Sequence, residues 1–483
     1  MTNAKMMMVL AGVALSGTTL AQAEQGVNRD EVRAIVSEML SDAETRSSLL
    51  QGGGTAGYDK GFFLASSDNN FRLNIGGLVQ FRHVSNFRSD QGAKGVASDT
   101  RTATNSGFDL RRAAVTFSGH AVSPDLKYTV RLLTETTGGV AIDDAFVSYN
   151  LGNGWYVKGG QFTLGFMRES MADDSMGIAA ERSIVEAAFG GDRTQGIEAG
   201  WSDPQYAFML GFHDGMNSSN SAWNTESTGF GGASIAPRGE RAYAINARGE
   251  WVFSGKREDL ADYTAQQGQA LTGIFGAAVN WQQSRRIDST LVDPVQAGGG
   301  AAAGAFGGAD TLSYTVDLQV ENAGFGFYTA FVGQWNQAKF HNVGAVTTNN
   351  GVDQSANNLG LVVQGSYRFT PEFELFARYD GLYLAKKQGG LETGGVSPTG
   401  DTRSRNYSFV TFGGNYYFAG HAAKFTLDCV MGLNRTGRLV DGAPGGPFTD
   451  LVETGFLPNT NLGLLGTAKG LEAAVRAQFQ LMF

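Results

Sequence analysis

Residues 471–483 read LEAAVRAQFQLMF. Leu471, Ala473, Val475, Ala477, Phe479, Leu481 and Phe483 are apolar, while Glu472, Arg476, Gln478 and Gln480 lie between them. A period of two sustained over thirteen residues puts one set of side chains on each face of an extended strand. Strands of globular proteins usually run to about five or six residues. A strand this long, with one apolar and one polar face, suits a wall between hydrocarbon and water.

The same alternation recurs upstream. At 71–83, Phe71, Leu73, Ile75, Val79 and Phe81 oppose Arg72, Asn74, Gln80 and Arg82. At 125–135, Tyr128, Val130 and Leu132 oppose Lys127, Thr129 and Arg131, and comparable stretches fall at 241–253 and 361–369. The pattern predicts sixteen strands near 71–83, 108–120, 125–135, 141–150, 154–163, 193–201, 204–213, 240–254, 272–284, 311–321, 324–336, 358–369, 373–384, 406–419, 421–432 and 470–483.

Connections alternate in length. Tight turns at Ser123-Pro124, Gly152-Asn153, Asp203, Asn322-Ala323, Thr370-Pro371-Glu372 and Gly420 are answered by long Gly-, Asn-, Ser- and Asp-rich segments. This asymmetry is that of an outer-membrane barrel, with short periplasmic turns and long outer loops. Two places break it: the charged connection 255–271 falls where a tight turn belongs, and 136–140 is a short connection on the outer side. The expected fold is all-β, a 16-stranded antiparallel transmembrane β-barrel closed because an unpaired amide is costly in lipid.

Composition agrees. Charged residues make up 17%, Gly 68 and Phe 32 of 483 residues are high, and Pro 9 is low, which excludes a disordered or collagen-like chain. Beyond the N-terminus no apolar run reaches the about 18 residues of a membrane helix. The single Cys429 excludes an intramolecular disulfide framework, and its alternation with Leu427 and Met431 places it on the lipid side. A net charge of −9 argues against a nucleic-acid partner. His83, His120, His213, His341 and His421 are scattered, and no catalytic, metal-binding or nucleotide-binding motif appears. No catalytic residue, metal site or cofactor is expected.

Residues 1–23 read as a signal peptide, with Lys5, an apolar stretch from Met6 to Leu20, and cleavage after Ala21-Gln22-Ala23. Residues 24–57 follow as a short periplasmic helix and a Gly-rich linker, and 58–483 as the barrel. Val32, Val36, Met39 and Ala43 in the segment 28–50 give about two heptads of a short coiled coil. Gln51 to Gly57 are expected as linker.

Taken in order, FRLNIGGLVQFR at 71–82, DLRRAAVTFSG at 109–119, LKYTVRL at 126–132, IDDAFVSYN at 142–150, GWYVKGGQFTLGFMRES at 154–170, AERS at 180–183 and EAAVRAQFQLMF at 472–483 resemble the phosphate-selective porin O and P family over roughly 58–483. The resemblance implies a trimeric outer-membrane channel for passive diffusion of small anions. It also implies an inward-folded loop after the fifth strand, here Phe166 to Gly190, with Arg168, Glu169, Asp173, Asp174, Glu181, Arg182 and Glu186 as constriction candidates. Two arginines against five carboxylates depart from what a phosphate filter needs.

Strand parity nominates Arg72, Arg82, Arg112, Lys127, Arg131, Lys158, Arg248, Arg368 and Arg476 as pore-lining cations. An anion path needs donors that bind weakly enough to release, yet any water-filled barrel keeps its charges inside. Two readings follow: a porin for small solutes, anions such as phosphate among them, or a weakly selective porin that mainly tethers the outer membrane. The expected partners are outer-membrane lipid, small solutes, two further copies in a homotrimer, and a periplasmic cell-wall contact through 28–50. The expected location is the outer membrane of a Gram-negative-type bacterium, with the N-terminus periplasmic.

Overall fold

The computed structural model describes residues 54–59, 61–89, 104–134, 139–216, 218, 241–284, 305–341, 354–384, 405–434, 462–465 and 471–483. The expected leader at 1–23 and helix at 28–50 lie outside the described residues.

A small hairpin, β1 (Thr55–Tyr58) and β2 (Phe62–Ala65), comes first. The wall then runs β3 (Arg72–Arg88), β4 (Thr104–Ala121), β5 (Ser123–Thr134), β6 (Val140–Gly152), β7 (Trp155–Thr163), β8 (Arg193–Ser202), β9 (Tyr206–His213) and β10 (Arg241–Ser254). It continues through β11 (Thr272–Ser284), β12 (Ala305–Asn322), β13 (Phe325–His341), β14 (Gln354–Arg368), β15 (Phe373–Leu384), β16 (Arg405–Tyr417), β17 (Ala423–Gly432) and β18 (Glu472–Met482). Each strand from β3 to β18 pairs antiparallel with the next, and β18 returns to β3 from Leu78↔Met482 to Arg88↔Glu472. The result is a closed 16-stranded barrel.

Below that seam, Phe483 exchanges backbone hydrogen bonds with Gly77 at 2.8 and 3.2 Å. From there β2 takes over the edge of β3, from Ile75↔Phe62 to Arg72↔Ala65. The hairpin occupies backbone groups that β18 is too short to reach.

The wall inverts the usual order of a soluble protein. Along β17, Lys424, Thr426, Asp428 and Val430 are buried, while Phe425 and Leu427 are exposed. Along β9, Phe208, Leu210 and Phe212 face outward between buried Ala207, Gly211 and His213. Cys429 pairs in register with exposed Phe412, on the outward face. Apolar side chains outside and polar ones inside fit a wall that has lipid as its outer solvent.

All sixteen expected strands are present, with two differences. The hairpin begins at Thr55, so the expected linker to Gly57 ends at Gly54 instead. Its two four-residue strands are too short to show a period. Several strands also run further at the long-loop end, β3 to Arg88 and β13 to His341, because ladder hydrogen bonds continue past the apolar belt where no alternation is required.

Candidate functional site

The segment between β7 and β8 folds into the barrel. It contains a helical turn at Arg168–Met171, a 3-10 turn at Asp174–Met176 and a helix at Ile184–Phe189. Ser183 caps that helix, its hydroxyl accepting from the Glu186 amide at 2.9 Å. Ile184, Val185, Ala188 and Phe189 bury their apolar face against Val332, Val362, Leu382 and Phe409 of the inner wall. Gly360 on β14 makes room, since a Cβ there would sit 2.6 Å from Val185 Cγ1. This apolar patch on an otherwise polar inner face was legible only as Leu361-Val362-Val363, where three consecutive apolar residues leave one of them inside.

The rest of the loop is held by charge. Glu181 accepts from Arg82 Nη1 at 2.7 Å, Arg111 Nε at 2.5 Å and Arg112 Nη2 at 3.1 Å. Asp174 lies 3.0 Å from Arg131 Nη2, 3.3 Å from Arg182 and 3.5 Å from Arg112. The tip is fixed by Lys424, whose ammonium donates to the carbonyls of Ser175 and Gly177 at 2.9 and 2.6 Å. The backbone amide of Ala180 donates to Asp428, itself bidentate with Arg476 at 2.7 and 2.8 Å.

Burial would raise both loop carboxyls. Instead Arg112, Arg182 and Arg131 hold Asp174 well below the usual carboxylate range, and Arg111, Arg112 and Arg82 do the same for Glu181. Glu186 goes the other way. Burial pushes it up to about 7, Arg182 opposing and Glu169 and Asp192 adding to the rise.

Two β-bulges shape this charge pattern. Gln80 pairs with Arg112 and Phe81 with Leu110, so Arg111 is an extra residue that turns inward beside Arg112. Likewise Arg131 pairs with Asp144 and Leu132 with Ile142, leaving Asp143 extra. Both Asp143 and Asp144 then reach Arg193, at 2.8 and 3.4 Å. Strict parity admits only one of each pair to the inner face, which is why Arg111 was missed.

A second insertion comes from the tight-turn end. The connection 255–271 contains a 3-10 turn at Arg257–Leu260 and then crosses the mouth. The Gln269 carbonyl accepts from the Ala323 amide at 2.9 Å, and Gln267 Nε2 donates to the Phe369 carbonyl at 2.9 Å. Asp262 lies 3.1 Å from His421 Nε2. Tyr263 packs edge-on against Tyr328, ring centroids 4.9 Å apart. The irregularity at 255–271 is thus a segment folded against inward-facing side chains of β12 to β17.

The remaining nominated residues fall as follows. Arg248 is bidentate with Asp317 at 2.8 and 2.9 Å and donates to the Phe166 carbonyl. Lys158 pairs with Glu198 at 2.9 Å and lies over Phe162. Arg368 lies over the Tyr417 ring at 4.6 Å and bonds the Pro371 carbonyl. Arg72 stacks on Phe63 of the hairpin and pairs with Asp59 at 3.3 Å. Lys127 is exposed near the tight-turn end of β5. Glu169 accepts from the Ser183 amide and hydroxyl, at 2.6 and 2.5 Å. Asp173 caps the 3-10 turn. Arg168 donates to Gln319 and to the Leu260 carbonyl, each at 2.6 Å.

Residues 81–253 match the family model described as phosphate-selective porin O and P. This stretch is similar to that family. The matched stretch is 173 of the 483 residues and runs from β3 to β10 of the barrel. No curated protein matches the chain. Among solved structures, an anion-selective porin from Comamonas acidovorans is 12% identical, covers 85% of this chain and 99% of that one, and has a TM-score of 0.46. The outer membrane channel DcaP of Acinetobacter baumannii is 13% identical, with 85% and 97% covered and a TM-score of 0.44. OmpF of Salmonella typhi is 13% identical, with 88% and 100% covered and a TM-score of 0.46.

Proposed function

We propose that the chain is an outer-membrane porin that passes small polar solutes by passive diffusion between the inserted loop and the wall, with a weak preference for anions, phosphate among them. The supporting observation is the seam of partly exposed guanidiniums at Arg111, Arg182 and Arg193, each already sharing a carboxylate. A guanidinium so attenuated can donate to a passing oxyanion without trapping it, the balance that conduction requires. The nominated wall cations Arg82, Arg112 and Arg131 spend most of their charge on the loop, so selectivity is weak rather than steep. The test is the reversal potential in a planar bilayer under a KCl gradient, repeated with added phosphate. Mild anion selectivity with partial phosphate block is expected; cation selectivity overturns the reading.

We infer further that the residues before Thr55 are periplasmic. Thr55 pairs with Ala65, which pairs with Arg72 at the end of the barrel carrying the tight turns. A homotrimer and a cell-wall contact through 28–50 follow from the resemblance and from the charged heptads. Native mass spectrometry of the detergent-solubilised porin tests the first. Deletion of 28–50 followed by inspection for envelope blebbing tests the second.

A further inference from the structure

The two inserted segments cover one side of the inner wall and leave another open. On the covered side, Arg378 of β15 donates to the Glu181 and Arg182 carbonyls at 3.1 Å and Asn415 of β16 donates to the Ile178 carbonyl at 2.8 Å, and both side chains are buried. On β5 to β7, Lys127 is exposed, while Thr129, Phe146, Ser148 and Lys158 are half-buried. Among the described residues, no hydrogen bond or ion pair joins them to either insertion. They face the lumen, because Arg131, on the same face of β5 as Lys127 and Thr129, reaches Asp174 of the inserted loop at 3.0 Å.

Cross-strand register sets these side chains in two rows. Lys127, Ser148 and Lys158 are partners in one, and Thr129, Phe146 and Gly160 in the next. Neighbours within a row are about 5 Å apart and the rows about 7 Å apart. Lys158 is already engaged, its ammonium pairing with Glu198 at 2.9 Å and lying 4.1 Å over Phe162. Lys127 has no ion pair among the described residues. Asp125, the next residue on its face of β5, accepts instead from Asn150 Nδ2 at 3.2 Å. The first row therefore offers an uncommitted ammonium beside a hydroxyl, and both can donate to a carboxylate. The second row offers a ring. Phe146 meets Phe162 edge-on, ring centroids 6.4 Å apart, and stands between the short Thr129 and the bare Gly160. An inorganic anion gains nothing from this phenyl, whereas a solute that carries a ring can pack on it offset or edge-on.

We propose that Lys127, Ser148 and Phe146 form a subsite on the open wall for small aromatic monocarboxylates, the carboxylate taken by Lys127 and the Ser148 hydroxyl and the ring laid against Phe146. The subsite rests on the reading of the chain as a porin and gives it a solute class that inorganic phosphate does not represent. Benzoate added to single-channel KCl currents of the full chain tests it. Acetate, which lacks the ring, and benzamide, which lacks the charge, are the matched controls.

Benzoate is expected to reduce the current at a concentration about two- to tenfold lower than either control, the worth of one aromatic contact or one charge-assisted hydrogen bond. Phe146→Ser is expected to bring benzoate to the potency of acetate, and Lys127→Gln to that of benzamide. Lys127 is exposed, so its variant keeps the barrel even where Phe146→Ser does not fold. Equal potency of benzoate and acetate on the wild type overturns the proposal. Wild-type benzoate potency in Lys127→Gln, or in heat-modifiable, folded Phe146→Ser, overturns it too. Failure of the anion reading appears separately, in the reversal potential measured without benzoate.

Discussion

Arg168 Nη2 donates to the Leu260 carbonyl at 2.6 Å, joining the loop that enters from one end of the barrel to the segment that enters from the other. The same guanidinium holds Gln319 of β12 at 2.6 Å and lies 3.5 Å from Glu250 of β10. One side chain therefore ties both insertions to the wall. Arg168→Ala removes hydrogen bonds from a charged donor, worth about 1.5–3 kcal/mol each. We expect larger and noisier single-channel currents and new protease cleavage within 255–271 or 164–192. Wild-type current and wild-type protection would contradict this role.

Glu181 is the shared partner of three guanidiniums. Glu181→Gln leaves Arg82, Arg111 and Arg112 short of one negative charge in a buried site, where breaking a pair costs about 3–5 kcal/mol. The expected outcome is a reversal potential moved toward the anion value, together with a lower thermal midpoint in detergent. An unmoved reversal potential would mean that solutes do not pass near this cluster.

Glu186 gives a pH signature of defined sign. Its carboxyl is raised from 4.5 to about 7, so between those values the folded porin binds more protons than the unfolded chain. Stability from this group is present below about pH 4.5 and is lost as pH rises through 7. Asp174 and Glu181 are held low, so they lose their contribution only in acid below this window. Glu186→Gln, which keeps the bond from the Ser170 hydroxyl, is expected to flatten the wild-type decline in denaturation midpoint between pH 5 and 8. The difference between the two proteins should reach about 1–3 kcal/mol at pH 8.

Gly360 sets how closely the loop helix approaches the wall. A Cβ there would also sit 2.8 Å from Val332 Cγ1 and 3.0 Å from Phe189 Cε2. Gly360→Val overfills this contact at a cost of about 1–3 kcal/mol, which pushes the Ile184–Phe189 helix off the wall. We expect a wider distribution of conductance states in a barrel that still folds. A single wild-type conductance level would show that the helix tolerates the added volume.

The barrel was legible in the sequence because lipid on one side and water on the other impose a period of two over long stretches. Residues 471–483 display this without help from any neighbour. The alternation of tight and long connections then set the end carrying the turns, and the loop after the fifth wall strand was correctly expected to fold inward. Parity brought Arg82, Arg112 and Arg131 to the inner face but missed Arg111, because a bulge breaks the period locally. Tyr263 was missed altogether: a lone tyrosine in a charged connection carries no periodic signal.

What the sequence by itself determined is the wall: strand number, facing and closure, each written in local alternation by the demands of the two solvents. What only the tertiary structure decided is the content of the lumen. Arg82 meets Glu181, Arg168 meets Leu260 and Lys424 meets Ser175 across many tens of residues. Such pairings depend on where the closed barrel brings its strands together, and no local pattern of residues encodes that.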